Sequence, residues 1–182
     1  MSQESGREST MTETNDQIED DENTGLSFSR YFARLFEYDR WANHKIITAF
    51  QQIGESTPQT ALDRMSHLIA CQRLWIARMR DDGTGPKTIF PSIPLNAIHE
   101  DAENVFDLVR RFIDDLPENE LFTRFRYTST DGTKLSSLKY EILTQLSQHG
   151  CYHRGQIAVE INPQLDQPIA TDWVFYTFKR EP

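Results

Sequence analysis

The sequence predicts an all-α protein, a four-helix bundle with a small hairpin or long loop before its last long helix and a short C-terminal helix. Apolar residues recur at spacings of three and four through four long segments, which is the pattern of amphipathic helices packed on a core. The stretches between these segments are rich in Gly, Pro and polar residues, which end helices. In such a bundle, inward side chains from facing helices can build a site.

The first two helices are predicted at residues 26–53 and 61–80. The intervening GESTPQT interrupts the apolar pattern, and Ser56 or Thr57 is the expected cap of the second helix, with Pro58 in its first turn. The apolar residues at helical spacing are Phe28, Phe32, Leu35, Trp41, Ile46 and Phe50 in the first helix, and Leu62, Met65, Leu68, Ile69, Trp75, Ile76 and Met79 in the second.

Residues 81–94 hold too much Gly and Pro for a helix and form a long connection. The third helix is predicted at residues 95–116, and Pro117 stops it. Alternating Phe and Tyr around an Asp-Gly pair at residues 122–137 indicate a hairpin or an extended crossing loop.

The fourth helix is predicted at residues 137–162, just before Pro163. A short final helix, capped by Thr171, is expected within residues 171–181. Trp173, Phe175 or Phe178 is expected to pack across the end of the bundle.

The negative charge of the chain is concentrated at its start. Residues 1–25 carry eight acidic residues against one arginine, so they hold −7 of the formal net charge of −9. They contain almost no large apolar residues, so burial cannot offset the entropy of ordering them. We therefore predict a disordered acidic tail at residues 1–25 and one folded domain, the bundle, at residues 26–182. The nearly neutral body offers no basic face to phosphates, which argues against nucleic-acid binding.

The composition favours a globular protein without a membrane partner. The chain is 37% hydrophobic and has no apolar run of about 18 residues, the length that predicts a membrane helix. Its first segment lacks the basic start and apolar centre of a secretory signal, so we expect a cytoplasmic protein. Cys71 and Cys151 are accordingly expected to be free thiols.

Two histidines on the fourth predicted helix share one face. His149 and His153 are four residues apart, and four residues advance a helix by about 400°, so the side chains lie about 40° apart. Both can therefore reach one metal ion. Cys151 is turned by roughly 200° from His149 and cannot share that ion. The alternative is a pair of core histidines that are satisfied by hydrogen bonds.

A metal at this pair needs a further ligand, because zinc prefers four ligands and a catalytic site usually takes three from the protein. If the chain forms a bundle, His67 of the second helix is the candidate third ligand. Cys71 follows His67 by four residues on the same face, so it is either a fourth ligand or a buried small residue. His44 and His99 stand beside polar or charged neighbours and are expected to be solvated.

Three segments form an ordered pattern along the chain: YDRWANHKII on the first helix, SHLIACQRLWIARM on the second and LTQLSQHGCYHRGQIAVEI on the fourth. Together they resemble the DinB/YfiT-like superfamily of metal-binding four-helix bundles. The most specific part is HRGQI after the histidine pair. The later TDWVFYTF is similar to the closing segment of the family, so the resemblance covers about residues 27–180.

The resemblance implies a divalent metal, commonly zinc or nickel, held by three histidines. Carried over to this chain, these are His67, His149 and His153, and the pattern is intact at all three positions. Members of the family commonly form homodimers, so a homodimer is expected here.

Two further positions match the family motif. Arg154 lies about 100° beyond His153 on the helix, so it is expected either to pair with an acid such as Asp39 or Glu160 or to touch substrate. Gln156 is three residues after His153 and is placed to accept a hydrogen bond from an imidazole N–H.

Relatives of known activity use such a metal to activate low-molecular-weight thiols. The first hypothesis is therefore a metal-dependent thiol S-transferase with a small-molecule substrate, in which no protein nucleophile is needed. Trp75 and Tyr152 either line the mouth of the site or belong to the core. The second hypothesis is a non-enzymatic, stress-related metal-binding protein, because no clear general base accompanies the histidines. A DNA-damage role, suggested by the family name, is disfavoured by the acidic charge.

Overall fold

The computed structural model describes residue 25 and residues 27–178. The predicted tail at residues 1–25 lies outside this part of the chain except for Gly25, so its disorder stays a prediction. The expected first residue of the first helix, at position 26, also lies outside it.

The described residues form four long helices, a hairpin and a short terminal helix, which confirms the predicted fold class. No helix in this part of the chain is long and apolar enough to cross a membrane. The elements are α1 Phe28–Ile53, α2 Gln59–Arg80, α3 Leu95–Asp115, β1 Arg124–Thr128, β2 Lys134–Leu138, α4 Lys139–Ile161 and α5 Trp173–Thr177.

The four long helices are arranged so that α1 and α2 lie diagonally opposite each other. Helix α1 packs mainly on α3 and α4, and α2 packs mainly on the same two helices. The α1/α3 interface and the α2/α4 interface are therefore on opposite sides of the bundle. The core between them is apolar, and each large side chain buried there contributes about 1.5–3 kcal/mol. Its most deeply buried members include Phe32, Phe36, Phe50, Ile46, Met65, Ile69, Ile98, Leu143 and Ile157.

The turn between α1 and α2 differs from the prediction. Helix α2 begins at Gln59 after Pro58, and neither Ser56 nor Thr57 caps it with its side chain. The Thr57 hydroxyl instead donates to the carbonyl oxygens of Phe50 and Gly54, at 3.0 and 2.8 Å. Thr57 therefore satisfies the carbonyl groups at the end of α1, and its hydroxyl is not available to the start of α2.

The hairpin shifts the start of α4 by two residues from the predicted position 137. Strands β1 and β2 are antiparallel, and Ser137 pairs with Phe125. Helix α4 therefore begins only at Lys139. Glu141 closes this start, because its Oε2 accepts a hydrogen bond from the Leu138 N–H at 3.0 Å. Gly132 in the turn has a φ of 85°, a conformation that glycine adopts without strain.

The short helix α5 is present, but it begins after Asp172 and not after the predicted cap Thr171. The Thr171 carbonyl accepts a hydrogen bond from the Tyr38 hydroxyl at 2.7 Å. The Trp173 ring packs edge to face on Tyr38, with 5.0 Å between ring centroids. The predicted aromatic packing across the bundle end therefore involves Trp173, whereas Phe178 is 55% exposed.

Candidate metal centre

The three histidines predicted as ligands meet at the α2/α4 interface. His67 comes from α2, and His149 and His153 come from successive turns of α4. The Nε2 atoms of His67 and His149 are 3.1 Å apart, and one ring nitrogen from each of the three lies within 4.8 Å of the others. We call these residues the histidine triad. The rings of the α4 pair are 4.4 Å apart at their centroids, as the four-residue spacing predicted.

His67 is oriented by the long connection between α2 and α3. Its Nδ1 lies 2.7 Å from the carbonyl oxygen of Ile89. Because a carbonyl oxygen can only accept, Nδ1 carries the proton. The other ring nitrogen, Nε2, faces His149. Phe90 stacks on the same ring with 4.8 Å between centroids. The sequence reasoning missed both residues, because nothing in an irregular connection signals which helix it covers.

His153 is oriented in the same way from within α4. Its Nδ1 lies 2.9 Å from Gln156 Oε1, which accepts the N–H and leaves Nε2 unprotonated. The expected contact between Gln156 and an imidazole is therefore present. Tyr152 packs its ring against His153 with 5.1 Å between centroids and is 63% exposed, so it lies at the rim of the triad.

The surroundings favour the neutral form of the two α4 histidines. Burial, together with the neighbouring His153 and His67, lowers the pKa of His149 to about 4. Burial also lowers the pKa of His153, although the hydrogen bond to Gln156 opposes the shift. Both imidazoles are therefore neutral at pH 7 and have free lone pairs, which metal binding requires.

The two cysteines have different relations to the triad. Cys71 Sγ lies 3.5 Å from His67 Nε2, but Cys71 is not part of the group whose ligand atoms all lie within 4.8 Å. Burial raises the pKa of the Cys71 thiol to about 11. Cys151 lies on the other side of α4, where its Sγ is 3.4 Å from the Tyr38 hydroxyl, as the helical geometry predicted. Both are free thiols.

The sequence comparison agrees with this geometry. A model of the DinB family matches residues 23–181. The chain belongs to the DinB family. No curated protein matches the chain significantly. The family match covers the whole bundle, including the triad.

The DinB bundle contains a buried ion pair between α4 and α1, next to the triad residue His153 in the sequence. Arg154 Nη2 donates to Asp39 Oδ1 at 2.7 Å, and Arg154 Nη1 donates to Asn43 Oδ1 at 3.0 Å. Arg154 is only 1% exposed, so of the predicted alternatives it braces α4 on α1 and does not face the triad. Its partner is Asp39 and not Glu160, which pairs with Arg64.

Gly150 leaves room for this ion pair. A Cβ atom at Gly150 would lie 2.8 Å from Arg154 Nη1, which is closer than such atoms approach, and 3.2 Å from Asp39 Oδ1, which is a tight contact. The glycine between the two histidine turns therefore has a packing role. The sequence motif contains it, but only the structure shows what it makes room for.

Trp75 does not line the DinB triad. Its ring packs edge to face on Tyr127 of β1 with 5.0 Å between centroids, and the Arg78 guanidinium lies 4.8 Å from its centroid. Trp75 therefore joins α2 to the hairpin. A separate cleft of about 290 Å³ lies beside it, lined in part by Arg78 and Arg126.

Proposed function

We propose that His67, His149 and His153 hold one divalent metal ion, with zinc or nickel as the best candidates. The observation that carries the proposal is that one ring nitrogen of each histidine lies within 4.8 Å of the others. In His67 and His153 the Nδ1 atom has an acceptor within hydrogen-bond distance, which leaves Nε2 as the nitrogen for an ion. Outer hydrogen bonds of this kind are typical of metal-binding histidines. Neutral imidazole nitrogen suits both zinc and nickel.

The three protein ligands leave room for a further ligand on the exposed side. Phe90 and Tyr152, which flank the triad, are 72% and 63% exposed. They offer apolar ring surface to a small molecule at the site. Cys71 is a poor competitor for that position, because its thiol is buried and has a raised pKa.

The activity that fits this arrangement best is transfer of a low-molecular-weight thiol to an electrophilic carbon. A divalent ion with an open position lowers the pKa of a thiol or water that binds there. In the overall reaction a sulfur–carbon bond forms, the leaving group departs with the bonding electrons, and the thiol proton passes to solvent. The chain contributes the three oriented imidazoles and the exposed rings of Phe90 and Tyr152. We expect the small-molecule substrate to lie against these rings.

One observation favours the alternative of metal binding without turnover. Among the described residues, the group of possible ligand atoms at the triad contains histidines alone, so no carboxylate stands within it as a general base. A stress-related metal-binding protein would need no such base. A homodimer and a cytoplasmic location are expected in either case, and light scattering of the purified protein checks the dimer.

The metal assignment is tested by replacing the α4 ligands. We expect His149→Ala and His153→Ala each to weaken binding of the first zinc equivalent by more than about 100-fold, because losing a ligand costs more than losing an outer partner, which costs about 10–100-fold. Competitive titration of the metal-free protein with zinc measures this. His99→Ala is the matched control and keeps the first equivalent. Retention of that equivalent by both α4 variants would contradict the assignment.

The transferase activity is tested separately. The zinc-loaded and nickel-loaded proteins are incubated with a panel of small thiols and electrophilic acceptors, and loss of free thiol is followed against the His149→Ala variant. We expect thiol consumption that depends on the metal and on His149. Full metal loading without consumption across the panel would reject the transferase and support the alternative.

A further inference from the structure

A second group of three possible ligands lies at the α1/α3 interface, on the opposite side of the bundle from the triad. His44 comes from α1, and His99 and Glu103 come from successive turns of α3. One ligand atom from each lies within 4.8 Å of the others. We call these residues the α1–α3 group. The sequence predicted solvated histidines, and His44 is exposed, but the sequence does not show that the two histidines meet.

The two imidazoles of this group face each other through the same atom. His99 Nε2 lies 2.9 Å from His44 Nε2, and the ring planes are almost perpendicular, at 83°. Only one of the two nitrogens can carry a proton in this contact, because two N–H groups would repel and two lone pairs would leave no donor. If both Nε2 atoms carry lone pairs, a divalent cation accepts both at once, so the contact is compatible with an ion held by the two rings.

Glu103 completes the group with an oriented carboxylate. The Arg40 guanidinium donates from Nη2 to Glu103 Oε2 at 2.7 Å, and from Nε to Oε2 at 3.0 Å and to Oε1 at 3.2 Å. It also packs over the Phe106 ring, 4.7 Å from its centroid. The other carboxylate oxygen, Oε1, lies 3.9 Å from His44 Nε2. Arg40 thus fixes the orientation of the carboxylate, and Oε1, which accepts only the longest of these hydrogen bonds, keeps a further lone pair for a cation.

We infer that His44, His99 and Glu103 form a second divalent-metal site, distinct from the triad, that joins α1 to α3. Two imidazole nitrogens and one carboxylate oxygen are a donor set for zinc and similar first-row ions. The His44 side chain is 48% exposed, so water fills the remaining positions. The site binds more weakly than the triad, because the positive charge of Arg40 lies beside it and no acceptor among the described residues holds the Nδ1 of either imidazole.

Zinc titration of the full chain tests the inference, after a chelator has removed any metal. We expect the wild-type protein to bind two zinc equivalents with separable affinities. His99→Ala is expected to lose the second equivalent and keep the first, and His149→Ala to do the reverse. If the triad proposal fails, the zinc equivalent that depends on His149 is missing. If the present inference fails, the equivalent that depends on His99 is missing.

Two further variants separate ligation from general surface charge. Glu103→Gln removes the proposed ligand and is expected to weaken the second equivalent by at least about tenfold. Glu100→Gln removes an exposed carboxylate one residue from His99 and is expected to leave both equivalents unchanged. A single zinc equivalent in the wild type that His99→Ala retains, or a second equivalent that survives both His99→Ala and Glu103→Gln, would overturn the inference.

Thermal unfolding gives a second readout that does not depend on counting equivalents. A cation that ties α1 to α3 in the folded state raises the midpoint of unfolding. In the His149→Ala background, zinc is expected to raise the midpoint, and in the His149→Ala, His99→Ala double variant this increase is expected to disappear. An equal increase in the two proteins would contradict a site at this interface.

Discussion

The two groups of possible metal ligands differ mainly in what holds their side chains. In the triad, an outer acceptor fixes the ring of His67 and another fixes that of His153. In the α1–α3 group the two imidazoles contact each other, and only the carboxylate is held, by Arg40. The spacing of the residues does not distinguish the two groups, because each has one possible ligand on one helix and two on successive turns of another. The outer hydrogen bonds and the burial are the reasons why the triad is proposed as the tighter of the two metal sites.

The ion pair next to the triad is more deeply buried than the ion pair that includes Glu103 of the α1–α3 group. Arg154 and Asp39 are 1% and 2% exposed at their side chains, whereas Arg40 and Glu103 are 45% and 27% exposed. Removing one partner of a buried pair leaves an unpaired charge in the core, which removing one partner of a surface pair does not. The stability of the α1/α4 interface is therefore expected to depend more on its ion pair than that of the α1/α3 interface does.

The largest expected effect comes from Arg154→Met. It leaves the Asp39 carboxylate buried without a partner, so we expect the free energy of unfolding to fall by about 3–5 kcal/mol. The matched change Arg40→Met breaks the surface pair and is expected to cost at most about 1 kcal/mol. Urea unfolding of the metal-free proteins measures both.

A double variant checks the cause of this difference. Asp39→Leu combined with Arg154→Met leaves no charge in the core and is expected to recover most of the lost stability. Equal costs for Arg154→Met and Arg40→Met would contradict the comparison between the two sides of the bundle.

A smaller effect is expected from Gln156→Leu, which removes the acceptor for His153 without removing a ligand. We expect the first zinc equivalent to bind about 10–100-fold more weakly, because the ring loses its fixed tautomer and orientation. Gln148→Leu changes the same residue type at an exposed position on the same helix and serves as the control. Unchanged zinc affinity in Gln156→Leu would remove the main reason for ranking the triad above the α1–α3 group.

The smallest effect concerns the stability of the metal-free protein at acid pH. The pKa of His149 is lowered by burial from 6.5 to about 4, so between these values the unfolded chain binds the proton and the folded chain does not. The free energy of unfolding should therefore fall as the pH is lowered through this window. Because the side chain is partly solvated, we expect this contribution to be at most about 2 kcal/mol.

The pH effect is measured by comparing urea unfolding of the wild type and His149→Ala at several pH values across this window. The variant should show a shallower pH dependence than the wild type. Identical profiles would mean that His149 is not held in its neutral form by burial.

Much of the bundle and of the triad could be predicted from the sequence, because both depend on helical period. The spacing of His149 and His153 placed them on one face, the predicted bundle made His67 the candidate third ligand, and the family motif added Gln156. The choice of Asp39 over Glu160 as the partner of Arg154 could not be predicted, since it depends on how α1 packs against α4. Thr57 was misassigned for a local reason, because its hydroxyl satisfies carbonyl groups at the end of the preceding helix.

The parts that the sequence did not predict come from long-range contacts without a periodic signal. Ile89 and Phe90 lie in an irregular connection, and only its folded path brings them to His67. His44 and His99 are 55 residues apart and look solvated in isolation. Their meeting depends on the axial register of α1 against α3, which the apolar pattern leaves undetermined.

The most direct test of the account is a crystal structure of the zinc-loaded protein with anomalous data collected at the zinc edge. We expect the strongest peak at the triad, with the Nε2 atoms of His67, His149 and His153 at about 2.0–2.1 Å from the ion and a solvent molecule, not Cys71, in the remaining position. A weaker peak is expected between His44 and His99. A structure without zinc at the triad, or with a stronger peak at the α1–α3 group, would contradict the account.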